Sequence, residues 1–189
     1  FPIRPSFFAN KNPRQLRKTF KIKPRSFSLL YFLNTAPDSF AENLIAELIT
    51  LPNLELTVIC GRNEALQERL SRLFPGLRVT GFINNVDEYM LASDAIIGKA
   101  GTGSLMESAC AGRPIIVTRV LKPQETGNME IFEQKKLGFY EPTPQRIIER
   151  VKKIRRWNQN KIKLFRQRAQ RLAGTNFSAN IARFLVKKN

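Results

Sequence analysis

Residues 94–112 read DAIIGKAGTGSLMESACAG: a short apolar run, a turn of small residues and a run with helical character. A buried strand that passes through a glycine turn straight into a helix is typical of parallel α/β proteins. The first N–H groups of a helix are unpaired and carry partial positive charge, so they bind phosphate well. Gly101 and Gly103 place no side chain in the way of such a group. The stretch predicts either a sharp corner alone or a phosphate-binding turn.

The same alternation of apolar and amphipathic runs continues on both sides of this stretch. Continuous apolar runs predict strands at 26–33, 54–61, 77–82, 94–98 and 114–120. Apolar residues at helical spacing predict helices at 39–51, 63–74, 86–93, 104–112 and 128–138. Asn63 is a predicted N-cap, and Gly112 and Gly138 are predicted helix ends. Strands that are apolar along their whole length are typical of sheets covered on both faces. We therefore expect an α/β fold, a Rossmann-like doubly wound parallel sheet.

Charge divides the chain into three parts, and the net charge is +17. Residues 1–25 carry eight Lys or Arg and no acid, whereas residues 144–189 carry fourteen and a single acid, Glu149. We predict a basic hinge or linker segment at 1–25, a Rossmann-like domain at 26–142 and basic C-terminal helices at 143–189. Such flanks favour an anionic surface, either a membrane or a nucleic acid.

The first predicted C-terminal helix, residues 144–154, is amphipathic, and two more are predicted at 161–173 and 178–188. Its apolar stripe faces away from a side rich in Lys and Arg, and consists of Ile147, Ile148, Val151 and Ile154. The pattern fits an ordinary surface helix with a solvated basic face. It also fits a helix that lies against anionic lipid.

Several kinds of site and segment are disfavoured by composition. The chain has no histidine, which removes the commonest general base and transition-metal ligand, so we expect neither a metal nor a cofactor. Cys60 and Cys110 are expected to be buried free thiols. No apolar run reaches the roughly 18 residues of a membrane span. The start, FPIRPSFF, lacks the features of a signal peptide, and we expect Phe1 to lie inside a longer polypeptide.

Around the glycine turn, two charged residues extend the phosphate interpretation. Glu107 follows Gly103 by one helical turn, where a carboxylate is able to accept hydrogen bonds from both hydroxyls of a ribose. Lys99 precedes the glycines, so the turn is not a P-loop, and the spacing is not that of a GxGxxG dinucleotide site. Lys99 is either a further positive charge near the phosphates or a solvated loop residue.

Three segments together resemble a known family: FPIRPSF at 1–7, GFINNVDEYMLASDAIIGKAGTGSLMESACAGRPIIV at 81–117 and PQETGN at 123–128. In this order and spacing they resemble the C-terminal, nucleotide-sugar-binding half of GT-B glycosyltransferases. The nearest group is that of monogalactosyldiacylglycerol synthases and diacylglycerol glucosyltransferases; the peptidoglycan N-acetylglucosaminyltransferase is more distant. The resemblance covers roughly residues 1–140.

The resemblance implies positions for the nucleotide of a UDP-sugar. Phe82 and Ile83 fall on the loop that holds uracil, largely through backbone groups. Glu107 falls on the carboxylate that binds ribose. The diphosphate is placed at the helix N-terminus, on Gly101, Thr102, Gly103 and Ser104.

The resemblance also implies sugar contacts. Gln124 and Glu125, with Asn128 behind them, match the residues that recognise the sugar hydroxyls, although a solvated polar loop is the alternative. Arg4 is a candidate for the phosphates or for the cleft between domains.

Two features depart from the family. The loop after the first strand is usually rich in glycine, but here it reads NTAPDSF at 34–40, where Asn34 and Thr35 are the remaining candidate donors. The N-terminal half, which in the family binds the lipid acceptor and supplies the general base, is not part of this sequence. We therefore expect that half in the same polypeptide or as a separate subunit, and this chain alone to be inactive.

The preferred hypothesis is the donor-binding domain of an inverting hexosyltransferase. It moves a hexose from a UDP-sugar to a lipid such as diacylglycerol, and acts in the cytoplasm, peripherally on the inner face of a membrane. A catalytically silent binding or scaffold module of the same fold is the alternative. Nucleic-acid binding is disfavoured, because the basic tail has few aromatic residues and no recognised motif.

Overall fold

The computed structural model describes residues 3–33, residues 38–173 and residue 183. A 3₁₀ helix at Pro5–Phe8 precedes the first regular elements. The strands are β1 (Phe27–Phe32), β2 (Leu54–Ile59), β3 (Arg78–Thr80), β4 (Ala95–Lys99), β5 (Ile115–Arg119) and β6 (Gly138–Tyr140). The helices are α1 (Pro13–Thr19), α2 (Asp38–Ile49), α3 (Glu64–Leu73), α4 (Val86–Ala92), α5 (Thr102–Cys110), α6 (Thr126–Gln134), α7 (Pro144–Arg155) and α8 (Gln159–Ala173).

The six strands form one parallel sheet in the order β3-β2-β1-β4-β5-β6. This order confirms the predicted doubly wound sheet. The direction of winding reverses between β1 and β4, and such a reversal opens a crevice at the carboxyl ends of the strands. The glycine turn follows β4 at that edge.

The core lies on both faces of the sheet, because alternate residues of a strand point to opposite faces. In β1, Leu30 joins a cluster with α5 and α6, whereas Leu29 and Tyr31 join a cluster with α2 and α7. All three side chains are almost fully buried. The continuous apolar pattern of the strands thus reflects burial on both sides.

Helices α7 and α8 complete the two faces. The apolar stripe of α7 is buried in the cluster that contains α2, so this stripe belongs to the core. That a face of α7 lies against anionic lipid stays a prediction, and only its basic side is exposed for such a contact. Helix α8 packs on α5 through Phe165, Ala169 and Ala173. The basic sides of both helices remain on the surface. In the described part of the chain, no helix combines the length and the apolar character of a membrane span.

The basic N-terminal segment folds back onto α4. Helix α1 packs against α4, and the ammonium of Lys11 donates to the carboxylates of Asp87 and Glu88. Arg17 forms an ion pair with Asp94, 3.0 Å long. Acids of the middle region therefore neutralise part of the N-terminal positive charge. The division of the chain at residues 25 and 142 stays a prediction.

Two differences concern the segment around Gly138. Strand β6 was not predicted, and the prediction that Gly138 ends a helix is wrong. Helix α6 ends at Gln134, and Lys136 then adopts a left-handed φ of 55° that turns the chain back to the sheet. Gly138 pairs with Ile115, where an added Cβ would lie 3.3 Å from the Ile115 side chain. Strand β6 was missed because the helical pattern of 128–138 runs directly up to Gly138, its first residue.

Candidate functional site

The glycine turn forms the exposed N-terminus of α5. The first helical bond runs from the Leu105 N–H to the Gly101 carbonyl at 3.0 Å, so three earlier N–H groups, those of residues 102–104, lie ahead of the hydrogen-bond ladder. The capping residue is Gly101, and no side chain caps it. Residues 101–104 are all partly exposed. Free donors therefore face outward at the edge where the sheet opens.

Gly101 lies close to two charged side chains. A Cβ added there would lie 3.2 Å from Cε of Lys99 and 3.6 Å from Oε1 of Glu125. Its φ of −60° is open to any residue, so backbone strain does not require a glycine there. The turn is thus lined by one ammonium and one carboxylate.

Glu125 is held in place from two sides. Its Oε2 accepts a hydrogen bond from the Leu121 N–H at 3.0 Å, and its Oε1 lies 3.9 Å from Nζ of Lys99. The residue is only 8% exposed. A carboxylate so positioned is oriented toward the turn at Gly101. Sequence reasoning had no signal for the Leu121 contact, because the partner is a backbone group.

The N-terminus of α6 is tied to that of α5. Asn128 donates from Nδ2 to Oγ1 of Thr102 at 2.9 Å, which joins the predicted sugar loop to the predicted phosphate turn. Gln124 is exposed, and an added Cβ at Gly127 would meet nothing within 4 Å. The structure therefore brings both predicted groups to one place and leaves open space beside them.

Glu107 and Arg4 form an ion pair. Nε and Nη2 of Arg4 both donate to Oε1 of Glu107, at 3.0 and 2.8 Å. The carboxylate side chain is 16% exposed and the guanidinium 45%. Oε2 of Glu107 accepts no hydrogen bond from the described residues, so it remains available to a ligand. The sequence predicted both residues for the site but gave no signal that they contact one another.

The predicted uracil loop lies between β3 and α4. Phe82 is 61% exposed, and the guanidinium of Arg62 lies 5.2 Å from the centre of its ring. Ile83 packs against the core cluster that contains Leu105. Arg62 was missed by sequence reasoning, because it follows a different strand. Asn34 and Thr35, the other predicted donors, lie outside the described residues.

The thiols do not add reactive groups to this site. Cys60 and Cys110 are both free, as predicted; Cys60 is buried, but Cys110 only partly so. Burial raises the pKa of each thiol to about 11, so both are protonated at neutral pH. Among the described residues, no cluster of acidic residues and thiols has the arrangement of a metal site.

Comparison with protein families identifies the chain. Residues 40–183 match the glycosyltransferase family 28 C-terminal domain. The chain belongs to this family. This glycosyltransferase domain includes the whole of the glycine turn, the sugar loop and Glu107.

Curated relatives of this family 28 domain act on lipids. It is 30% identical over 184 residues to a probable monogalactosyldiacylglycerol synthase of Nicotiana tabacum, covering 91% of this chain and 34% of the relative. It is 28% identical over 159 residues to a processive diacylglycerol beta-glucosyltransferase of Bacillus cytotoxicus, covering 81% of this chain and 41% of the relative. The chain thus spans about a third of the length of the curated relatives it matches.

Solved structures confirm the fold. WaaG, a glycosyltransferase involved in lipopolysaccharide biosynthesis, superposes with a TM-score of 0.68 at 22% identity, over 92% of this chain and 50% of WaaG. Anabaena HepE in complex with UDP-glucose superposes with a TM-score of 0.66 at 17% identity, over 95% of this chain and 53% of HepE. The sheet is that of the C-terminal domain of GT-B glycosyltransferases.

Proposed function

We propose that this chain is the donor-binding domain of an inverting hexosyltransferase that moves a sugar from UDP to a lipid acceptor such as diacylglycerol. The observation that carries the proposal is the exposed N-terminus of α5, which Asn128 joins to the sugar loop. The lipid substrates of the curated relatives and the UDP-glucose bound to the HepE neighbour support it.

The N-terminus of α5 would stabilise the departing diphosphate. When the acceptor oxygen displaces UDP at the anomeric carbon, negative charge grows on the phosphate oxygens. The N–H groups of residues 102–104 and the positive end of the helix dipole oppose that charge, and Lys99 lies beside the turn. Fixed donors of this kind contribute about 3–4 kcal/mol each in related settings.

Glu107 and Arg4 would receive the ribose. Oε2 of Glu107 is the acceptor for hydroxyl groups, while Arg4 holds the other oxygen and so fixes the carboxylate. The uracil would lie beside Phe82 and Ile83, where the exposed ring and nearby Arg62 offer a flat surface. One face of the site thus recognises the nucleoside.

The loop before α6 would recognise the sugar. Glu125 accepts from hydroxyls near Gly101, and exposed Gln124 offers both a donor and an acceptor. Gly127 leaves room for the hexose ring, because nothing lies within 4 Å of an added Cβ. Asn128 couples this loop to the phosphate turn through Thr102.

A membrane contact is supported by a basic groove between α7 and α8. The groove measures about 600 Å³ and has Trp157 and exposed Leu164 among its lining residues. Its cations are Lys136, Arg150, Lys153, Arg156, Lys161 and Arg168; Arg150 is already paired with Glu141 at 2.7 Å, and none of the described lining residues is an acid. Each Lys or Arg close to an anionic lipid surface contributes about 1 kcal/mol, so the domain would bind peripherally to a cytoplasmic membrane face.

Catalysis would require more than this chain. The proposal assigns the general base and the acceptor site to an N-terminal GT-B half, in the same polypeptide or as a partner. Neutralisation of the departing diphosphate is assigned to the N–H groups of residues 102–104 and to Lys99, so the proposal includes neither a metal nor a cofactor. The alternative is a silent nucleotide-sugar module, which the glycine-free segment at 34–40 favours.

Titration calorimetry of the 189-residue chain with UDP separates these two proposals. The transferase proposal expects saturable binding, stronger for UDP than for uridine because the N–H groups contact phosphate. Gly103→Val is the site variant, and Ser71→Val, at an exposed position of α3 away from the turn, is its control. Absence of heat and of any UDP-induced rise in melting temperature at millimolar UDP would favour the silent module.

Vesicle co-sedimentation tests the membrane contact separately. Leu164→Ser and Lys161→Gln should weaken binding to vesicles with 30 mol% phosphatidylglycerol by several-fold, given roughly 1 kcal/mol per cation. Leu73→Ser, which changes an equally exposed leucine outside the groove, is the control. Equal binding by all three variants and the unmodified chain would contradict the role of the groove.

A further inference from the structure

A second cavity opens at the opposite edge of the sheet, at the amino ends of β1, β4 and β5. It measures about 400 Å³, within the size range of small-molecule sites. Phe27, Asp94 and Pro114 mark its sheet side, and α7 and α8 close the other. It lies away from the turn at Gly101, which follows the carboxyl end of β4.

A buried arginine that forms no ion pair with a described residue, Arg113, lines one side of this cavity. Arg113 is 6% exposed, and its Nη2 donates to the Leu91 carbonyl at 2.6 Å. Its Nε is buried and has no hydrogen-bond partner in the part of the chain that the structure describes. None of the carboxylates in the described ranges forms an ion pair with it. Burial of a cation is costly, and the charge of Asp94 nearby offsets only part of that cost, so an anion in the cavity would offset more of it.

The other charged groups of the cavity are mostly cations. Arg25, Arg155 and Arg166 also line it, against a single carboxylate, Asp94. Asp94 is already engaged, because its Oδ2 accepts from Arg17 and from the Ser28 N–H. Burial and the nearby charge of Arg166 lower the pKa of Arg113 to about 10, and it remains charged at neutral pH. Four arginines therefore line the cavity against one carboxylate, and the lining carries a net positive charge.

We propose that this cavity is a binding site for a phosphate-type oxyanion, carried by a free phosphate ester or by a lipid headgroup. Arg113 is the buried cation of this site. Arg166 is an exposed cation of the site, and the Arg166 side chain lies against Gly112. Arginine suits this ligand, because its planar donors match phosphate oxygens. The site is separate from the proposed donor site and does not depend on it.

The test is a thermal-shift titration of the 189-residue chain with inorganic phosphate and with glycerol 3-phosphate, at ionic strength held constant with chloride. The melting temperature should rise saturably with either ligand. Arg166→Gln should raise the half-saturating concentration about tenfold or more, as expected for a lost charged hydrogen-bond partner. Arg113→Met should abolish the response. Arg72→Gln, on exposed α3 outside the cavity, should respond like the unmodified chain.

The outcomes separate the two sources of phosphate and allow refutation. A lipid headgroup would be indicated if glycerol 3-phosphate raises the melting temperature far more than inorganic phosphate does and if binding to phosphatidylglycerol vesicles depends on Arg166. Equal rises with the two ligands would indicate a free anion. If Arg113→Met does not fold, the comparison of Arg166→Gln with Arg72→Gln decides. The proposal is overturned if phosphate raises the melting temperature no more than chloride does. It is also overturned if Arg166→Gln and Arg72→Gln lose the phosphate response to the same extent. UDP binding is expected to persist in Arg166→Gln, so failure here leaves the donor site untouched.

Discussion

Replacement of Glu107 by alanine separates the ribose role of this carboxylate from its structural role. Glu107 lies on the first turns of α5, and its Oε1 receives both hydrogen bonds from Arg4, at 3.0 and 2.8 Å. Its Oε2 has no partner among the described residues. The substitution thus removes an ion pair and, under the proposal, the acceptor for two ribose hydroxyls.

The two losses differ in size. The guanidinium of Arg4 is 45% exposed, so solvent screens the pair and its loss should cost about 0–1 kcal/mol of unfolding free energy. A hydrogen bond to a charged group contributes about 1.5–3 kcal/mol, so UDP affinity should fall roughly tenfold to 150-fold. Glu107→Ala should therefore weaken UDP binding far more than it destabilises the fold.

The assay compares two ligands by calorimetry and two proteins by urea unfolding. UDP and 2′,3′-dideoxy-UDP differ only in the ribose hydroxyls. The unmodified chain should bind UDP more tightly than dideoxy-UDP, by about the factor by which Glu107→Ala weakens UDP binding. The variant should bind the two ligands with equal affinity. Arg4→Met is the matched control, since it breaks the same ion pair but keeps the carboxylate, and it should retain the preference for UDP.

One result would refute the reasoning directly. If Glu107→Ala still prefers UDP over the dideoxy ligand by the unmodified factor, the carboxylate does not contact the ribose. If instead both variants lose UDP affinity and stability in parallel, Glu107 acts only through its pairing with Arg4. Either result leaves the fold assignment intact, because that rests on the sheet.

Three further predictions follow from other contacts. Gly101→Ala should weaken UDP binding at least tenfold, because under the proposal the added methyl group would stand where the phosphate approaches the turn. It should cost little stability, since its Cβ would lie 3.2 Å from the movable end of Lys99. Calorimetry and a melting curve measure the two effects, and an unchanged UDP affinity would argue against phosphate binding at this turn. Ile147→Ala should cost about 2–5 kcal/mol of unfolding free energy in urea, since Ile147 is fully buried, and a cost below 0.5 kcal/mol would contradict its place in the core. Hydrogen bonds from Asn85 and then from Lys11 lower the pKa of Glu88 below its ordinary value of 4.5, so the ionised carboxylate stabilises the fold above pH 4.5 and this contribution is lost as the pH falls through the lowered pKa. The difference in unfolding free energy between the unmodified chain and Glu88→Gln should therefore shrink on acidification. A difference that stays constant from pH 6 to pH 3 would contradict this role of Glu88.

Much of the fold was predictable because local patterns and tertiary packing agree. The predicted strands at 26–33 and 94–98 contain the unbroken apolar runs 29–33 and 95–97, and the structure buries both of their faces. The N-cap at Asn63 was also predictable, because its side chain accepts from a neighbour, the Leu66 N–H at 3.0 Å. Strand β6 was not predictable, because the helical pattern of 128–138 places Gly138 at a helix end, whereas in the sheet it pairs with Ile115.

The sequence by itself determined the elements of the sheet, the helix N-terminus that follows β4 and the identity of the polar residues around it, because these depend on neighbours along the chain. Tertiary structure alone decided that Arg4 holds Glu107 across 103 positions, that Leu121 and Lys99 orient Glu125, and that Arg113 is buried with its Nε unpartnered among the described residues. The physical reason is range: a cap or an apolar period is a relation between residues a few positions apart. An ion pair or a buried charge depends on which distant segments the winding of the sheet brings together.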